Sequence, residues 1–156
     1  MKFLNPERDP LGTGYHIIQS KIAIGSGSVS GKGYLEGTQN ALSFLPEQHT
    51  DFIFSVLAEE WGFMGASLVV ILFLLVLLWG FNIAHKSRDP FGILLVVGFD
   101  AIIFWDMFIN IGMVMGLMPV VGVPLPLISY GGSSTLTIMI AIGLLLNVSM
   151  RRFMFE

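Results

Sequence analysis

The sequence predicts an all-α polytopic membrane protein, with three transmembrane helices and a large extracytoplasmic loop that carries short helices. Three observations carry that expectation. The chain has 156 residues, of which 54% are hydrophobic and only 12% charged. Soluble domains hold about 25% charged residues, so half that level with long apolar runs marks an integral membrane protein. The segments Met64–Ala84 and Met107–Met150 contain no charged residue at all. The second is too long for one span, and the proline- and glycine-rich zone Pro119–Gly132 divides it.

The first span, 64–84, is about 31 Å long at roughly 1.5 Å per residue, which matches the hydrocarbon core of a bilayer. The second lies within 91–118 and the third over 134–150, with 85–90 and 119–133 connecting them. Lysine and arginine near span ends set orientation. Lys86, Arg88, Arg151 and Arg152 flank one side, and neither His49–Phe63 nor Pro119–Gly132 carries a Lys or Arg. The connection 85–90 and the tail 151–156 are therefore expected in the cytoplasm, and 1–63 and 119–133 outside it.

The outer segment 1–63 has its own organisation. Ile17, Ile18, Lys21, Ile22 and Ile24 recur at helical spacing, which suits a short amphipathic helix on the membrane surface. Gly25 to Gly33 forms a flexible turn region. A second helix is expected to start near Thr50 or Asp51 and run to Glu60, with Gly62 and Gly65 loosening the way into the first span. There is no cysteine, hence no disulfide framework. The net charge of −3 and the lack of a basic stripe exclude a nucleic-acid partner. No histidine spacing suits a metal site.

Several residues could carry chemistry. Asp51 at the foot of an apolar helix reads simply as a helix N-cap. It also reads as a general base, since partial desolvation at a membrane edge favours a working carboxylate. Ser55 and Glu59 share its helix face, and Glu59-Glu60 reads as a solvated or structural pair at the boundary. Lys21 and Lys32 are ordinary loop lysines or cations for a lipid phosphate, and Gly25, Gly27, Gly31 and Gly33 would let amides approach that anion. Lys32 is followed by Gly33, so this is no nucleotide P-loop. The zone Pro119–Ser134 is too apolar for a solvated loop and reads as partly re-entrant. Its end, Ser129-Tyr-Gly-Gly-Ser-Ser134, brings amides to a helix start. Asp100 and Asp106 lie inside the second span, roughly 120° apart on the helix. Intramembrane acids are functional candidates, and a transporter would use them.

Long ordered motifs then add a resemblance. Asp9 through Gly25, Gly37-Thr-Gln39, Phe44-Leu-Pro-Glu-Gln-His-Thr-Asp-Phe-Ile-Phe54, Phe108-Ile-Asn-Ile-Gly-Met113 and Pro119 through Ser134 resemble the bacterial SEDS glycosyltransferases. Gly37-Thr-Gln39 and the Gly31-Lys-Gly33 context favour the elongation (RodA) branch over the division (FtsW) branch. The chain resembles the C-terminal part of such a protein, with fewer spans than the family has, and a fragment of this extent is expected to be inactive alone. The resemblance implies a peptidoglycan polymerase of the bacterial cytoplasmic membrane. It transfers lipid II disaccharide units to glycan strands during elongation and rod-shape maintenance, releasing undecaprenyl pyrophosphate, beside a class B penicillin-binding protein. It implies Asp51 as the base that deprotonates the acceptor hydroxyl in one inverting displacement. The leaving pyrophosphate needs positive charge or a divalent cation, Mg²⁺ or Mn²⁺. Lys21, then Lys32, with Ser129, Gly131, Gly132 and Ser133, are the expected pyrophosphate-binding residues. A lipid-linked precursor transporter or flippase, or an FtsW-like homologue, is the alternative reading.

Overall fold

The structure, a computed structural model, describes residues 13–33 and 51–151. The described residues form four helices: α1 (Thr13–Ser26), α2 (Ile53–Lys86), α3 (Pro90–Val114) and α4 (Gly132–Arg151). Helices α2, α3 and α4 are long and apolar enough to cross a membrane, as expected. The motif residues 37–39 and 44–50 and the segment 1–12 lie outside the described residues.

The start of α3 follows directly from its sequence. Asp89 is the N-cap, and its carboxylate accepts from the amides of Phe91 at 3.2 Å and Gly92 at 3.3 Å. Pro90 occupies the first helical position, where its missing N–H costs nothing. The end of α3 comes at Val114, short of Met118, because Gly116 closes a Schellman turn. Leu117 N donates to Gly112 O at 2.8 Å and Gly116 N to Met113 O at 2.9 Å. One further carbonyl, Val114 O, accepts from Ser20 Oγ of α1 at 2.8 Å.

Helix α2 holds the most informative backbone feature. It is continuous from Ile53 to Lys86 except at Gly62, whose φ of 66° and ψ of −163° break the helix. An L side chain rarely adopts that conformation. The break leaves carbonyls above it and amides below it without helical partners. The turn after α1 supplies them. Lys32 N and Gly33 N each donate at 3.1 Å, to Glu59 O and Glu60 O, while Phe63 N and Met64 N donate to Ser28 O at 2.9 Å and Val29 O at 3.3 Å. The glycines of this turn are thus needed for close approach to α2: a Cβ on Gly27 would collide with Ala58 O, and one on Gly31 with Glu60 O. Of the glycines expected to let amides approach an anion, Gly31 and Gly33 instead give their amides to Gly27 O and Glu60 O.

The three long helices meet in two apolar clusters. At one end, which we term the loop end, Phe52, Phe54, Val69, Phe73, Ile103, Met113, Val114, Leu125 and Ile138 unite α2, α3, α4 and the loop between α3 and α4. At the other, basic end, Ile83, Ala84, Val96 and Leu145 join α2, α3 and α4. Small residues set the close approaches, as in membrane bundles generally. Gly92 of α3 lies under Val148 of α4, and Gly80 of α2 leaves the space that the Asp100 carboxylate fills. Most remaining side chains on α2 and α3, such as Leu72, Leu75, Leu94 and Trp105, are exposed outward.

Replacing Gly62 by Ala forces a left-handed residue and a clash with Gly31 N. A loss of about 1–3 kcal/mol is expected. Thermal unfolding of the full-length protein in detergent measures it, with Gly98→Ala as the control, since a Cβ there meets nothing.

Candidate functional site

The loop end gathers the chemistry. Asp51 stands one residue before the N-cap of α2, which is Phe52 and makes no side-chain cap. Asp51 is therefore not the N-cap residue itself, and its carbonyl is held inside the bundle. The side chain of Asn110, fully buried in α3, donates through Nδ2 to Asp51 O at 2.9 Å and to Val123 O at 2.6 Å. One amide group thus ties the acid to the loop that follows α3. Gly122, at φ 74°, faces the acid: a Cβ built there would lie 3.1 Å from Asp51 Oδ2. A side chain at that position would crowd the carboxylate.

The loop 115–131 folds back against the bundle, with Leu125, Pro126 and Ser129 buried. Leu127 sits at φ 65°, which costs a non-glycine residue roughly 1–2 kcal/mol. Tyr130, by contrast, is exposed. At the loop's end, Gly131 O accepts from Thr135 N at 2.9 Å and from Ser134 Oγ at 3.0 Å, which starts α4. The amides of Gly132 and Ser133 belong to the first turn, where helix geometry provides no intrahelical acceptor.

The two lysines part company. Lys21 is exposed, and its Cε and Nζ lie over Gly116, at the C-terminal end of α3. Its charge faces the negative end of that helix dipole. Lys21 and Asp51 thus lie against one loop, at Gly116 and Gly122. Lys32 instead forms an ion pair with Glu59, Nζ to Oε1 2.8 Å, with Lys32 29% and Glu59 0% exposed. Ser26 Oγ donates to the same oxygen at 3.3 Å. Glu59 is a buried structural group, and the solvated alternative is excluded. Sequence spacing could not reveal this pair, since its members lie 27 residues apart. Asn110 was visible in sequence only as a polar residue one turn after Asp106 and as part of a motif.

Asp100 and Asp106 lie further along α3, Asp106 one turn before Asn110. The Asp100 carboxylate packs against Gly80 of α2. Among the described residues no group of three or more His, Cys, Asp or Glu could hold a metal ion.

The family model of the FtsW/RodA/SpoVE cell cycle proteins matches residues 1–153. The chain belongs to this family. This FtsW/RodA/SpoVE protein is 53% identical over 154 residues to the peptidoglycan glycosyltransferase MrdB of Escherichia coli K12, covering 99% of the chain and 42% of that relative. It is 52% identical over 150 residues to the peptidoglycan glycosyltransferase RodA of Treponema pallidum, covering 96% and 35%. The probable peptidoglycan glycosyltransferase FtsW of Geobacter metallireducens is 46% identical over 151 residues, with 97% and 40% covered. A solved chain from a study of structural coordination of polymerization and crosslinking by a peptidoglycan synthase complex superposes with a TM-score of 0.76. It is 34% identical, over 97% of this chain and 40% of that one. The RodA-type resemblance read from the motifs is borne out, and the chain spans less than half the length of these relatives.

Lys32→Met removes the cation beside a buried carboxylate. A loss of about 1–3 kcal/mol is expected, below a fully buried pair because Lys32 is partly exposed. Lys21→Met is expected to stay within about 0.5 kcal/mol. Thermal unfolding of the two full-length variants compares them.

Proposed function

We propose that this chain is the C-terminal, acid-bearing part of a RodA-type peptidoglycan polymerase. The observation that carries the reading is Asp51: a half-buried carboxylate, pinned through its own backbone, facing a loop made of family motif residues. Asp51 accepts the proton of the acceptor sugar hydroxyl. That oxygen attacks the anomeric carbon of the donor sugar. The bond to undecaprenyl pyrophosphate breaks as the glycosidic bond forms, with inversion. One base is sufficient for a single displacement.

The leaving pyrophosphate gathers negative charge, and Lys21 supplies protein-borne charge beside the same loop. The exposed helix start at Gly132 and Ser133 offers amides. Ser129 and Gly131 shape that turn. Lys32 is committed to Glu59 and serves the fold. A divalent cation, Mg²⁺ or Mn²⁺, would add to the neutralisation of that pyrophosphate.

The loop end faces the outside of the bacterial cytoplasmic membrane, and the basic end with Lys86, Arg88 and Arg151 faces the cytoplasm. A class B penicillin-binding protein is the partner; the likeness to a chain of a peptidoglycan synthase complex supports this. Activity belongs to the full-length protein, of which the curated relatives are the guide.

Lipid II polymerisation by the full-length protein with its penicillin-binding partner tests the reading. Asp51→Asn is expected to reduce glycan product roughly 100- to 10,000-fold at unchanged protein level and partner binding. Lys21→Met is expected to lower turnover about tenfold or more while leaving stability intact. Full polymerisation by Asp51→Asn would sink the role of the acid and favour a transporter built on Asp100 and Asp106.

A further inference from the structure

Asn110 does more than occupy a buried position. Its side chain meets two carbonyl oxygens, Asp51 O and Val123 O, so the group facing them must be the NH₂, which alone can donate. The amide orientation is thereby fixed by chemistry. The two carbonyls belong to segments far apart in sequence, and Val123 adjoins Gly122, the residue that faces the Asp51 carboxylate. One nitrogen therefore sets both the acid's backbone and the loop wall opposite its carboxylate. Apolar contacts alone would leave this register loose, since they have no direction.

We propose that Asn110 is the positioning residue for Asp51, holding the acid and the 122–123 wall in one register so that the carboxylate meets the acceptor hydroxyl. The inference rests on the reading of Asp51 as the base. It touches neither substrate nor leaving group and acts through Asp51. A displacement of about 1 Å at a reacting group can cost about 100-fold in rate, so the effect belongs to the chemical step rather than to substrate capture.

The test uses the full-length protein with its penicillin-binding partner and lipid II. Asn110→Ser keeps one donor and cannot serve both carbonyls. Asn110→Asp keeps the shape and, ionised, has no donor. Asn110→Ser is expected to lower kcat about 10- to 100-fold with KM for lipid II within about threefold, and Asn110→Asp more, at normal protein level and partner binding. Combined with Gly122→Ala, which crowds the same carboxylate, Asn110→Ser is expected to cost little more than the worse single change. A rise in KM at unchanged kcat, or multiplicative losses in the double variant, would overturn the inference. Asp51→Asn measured alongside separates the two readings. If Asp51→Asn is inactive and Asn110→Ser turns over normally, the positioning role fails alone. If Asp51→Asn is active, both fail.

Discussion

At the loop end the structure depends on one constraint: backbone groups released from helices must find partners inside the protein. In a bilayer there is no water to take them, and each unmet group costs several kcal/mol. Two helix interruptions and one junction between a helix start and a loop sit at this end, and each is answered by a specific donor or acceptor. The break at Gly62 exchanges four hydrogen bonds with residues 28–33. The end of α3 is closed by its Schellman turn and by Ser20. The carbonyls of Asp51 and Val123 both go to Asn110. These partners tie α1, the start of α2, the end of α3 and the following loop into one unit.

That accounting explains why the acid sits where it does. A cap residue would be placed by its side chain, which would then be occupied by amides. Asp51 is placed by its main chain, one residue outside the helix. Its carboxylate is directed instead at the bare surface of Gly122. Through Asn110, which bonds both Asp51 O and Val123 O, the acid and the loop wall opposite it share one anchor. The apolar cluster of Phe52, Phe54, Met113 and Leu125 surrounds this arrangement and supplies the cohesion that the polar ties only orient.

The spans were legible in the sequence because uncharged length is a sufficient signal for a membrane helix, and the Pro–Gly zone punctuates it. The boundary at Val114 was not, since Gly116 terminates the helix three residues before the proline–valine run begins. Sequence marks Gly62 only as a loosened entry to the span; in the fold it is a full break whose partners come from a turn some thirty residues earlier. Asp51 stood out through its motif; no local rule says that Asn110 holds it. Glu59 was ambiguous for the same reason. Helical spacing assigns it a face, but only the fold brings Lys32 and Ser26 to that face. What sequence patterns miss here is the partner of each polar group, because partners are chosen by tertiary proximity.

The same logic separates two lysines that composition treats alike. Lys32 belongs to a turn whose amides are bound to the broken helix, so its side chain is delivered to Glu59. The pair keeps a buried carboxylate from standing unneutralised beside the break, and it ties the turn to α2. Lys21 lies on the opposite flank of the same short helix system, one residue from Ser20, whose hydroxyl is fixed on Val114. Its charge is carried to the end of α3 and to the loop that Asp51 faces. Neutralising Lys32 should therefore be felt as loss of structure, and neutralising Lys21 as loss of charge at the site. The fold has assigned the two cations to different tasks by where it anchors their backbones.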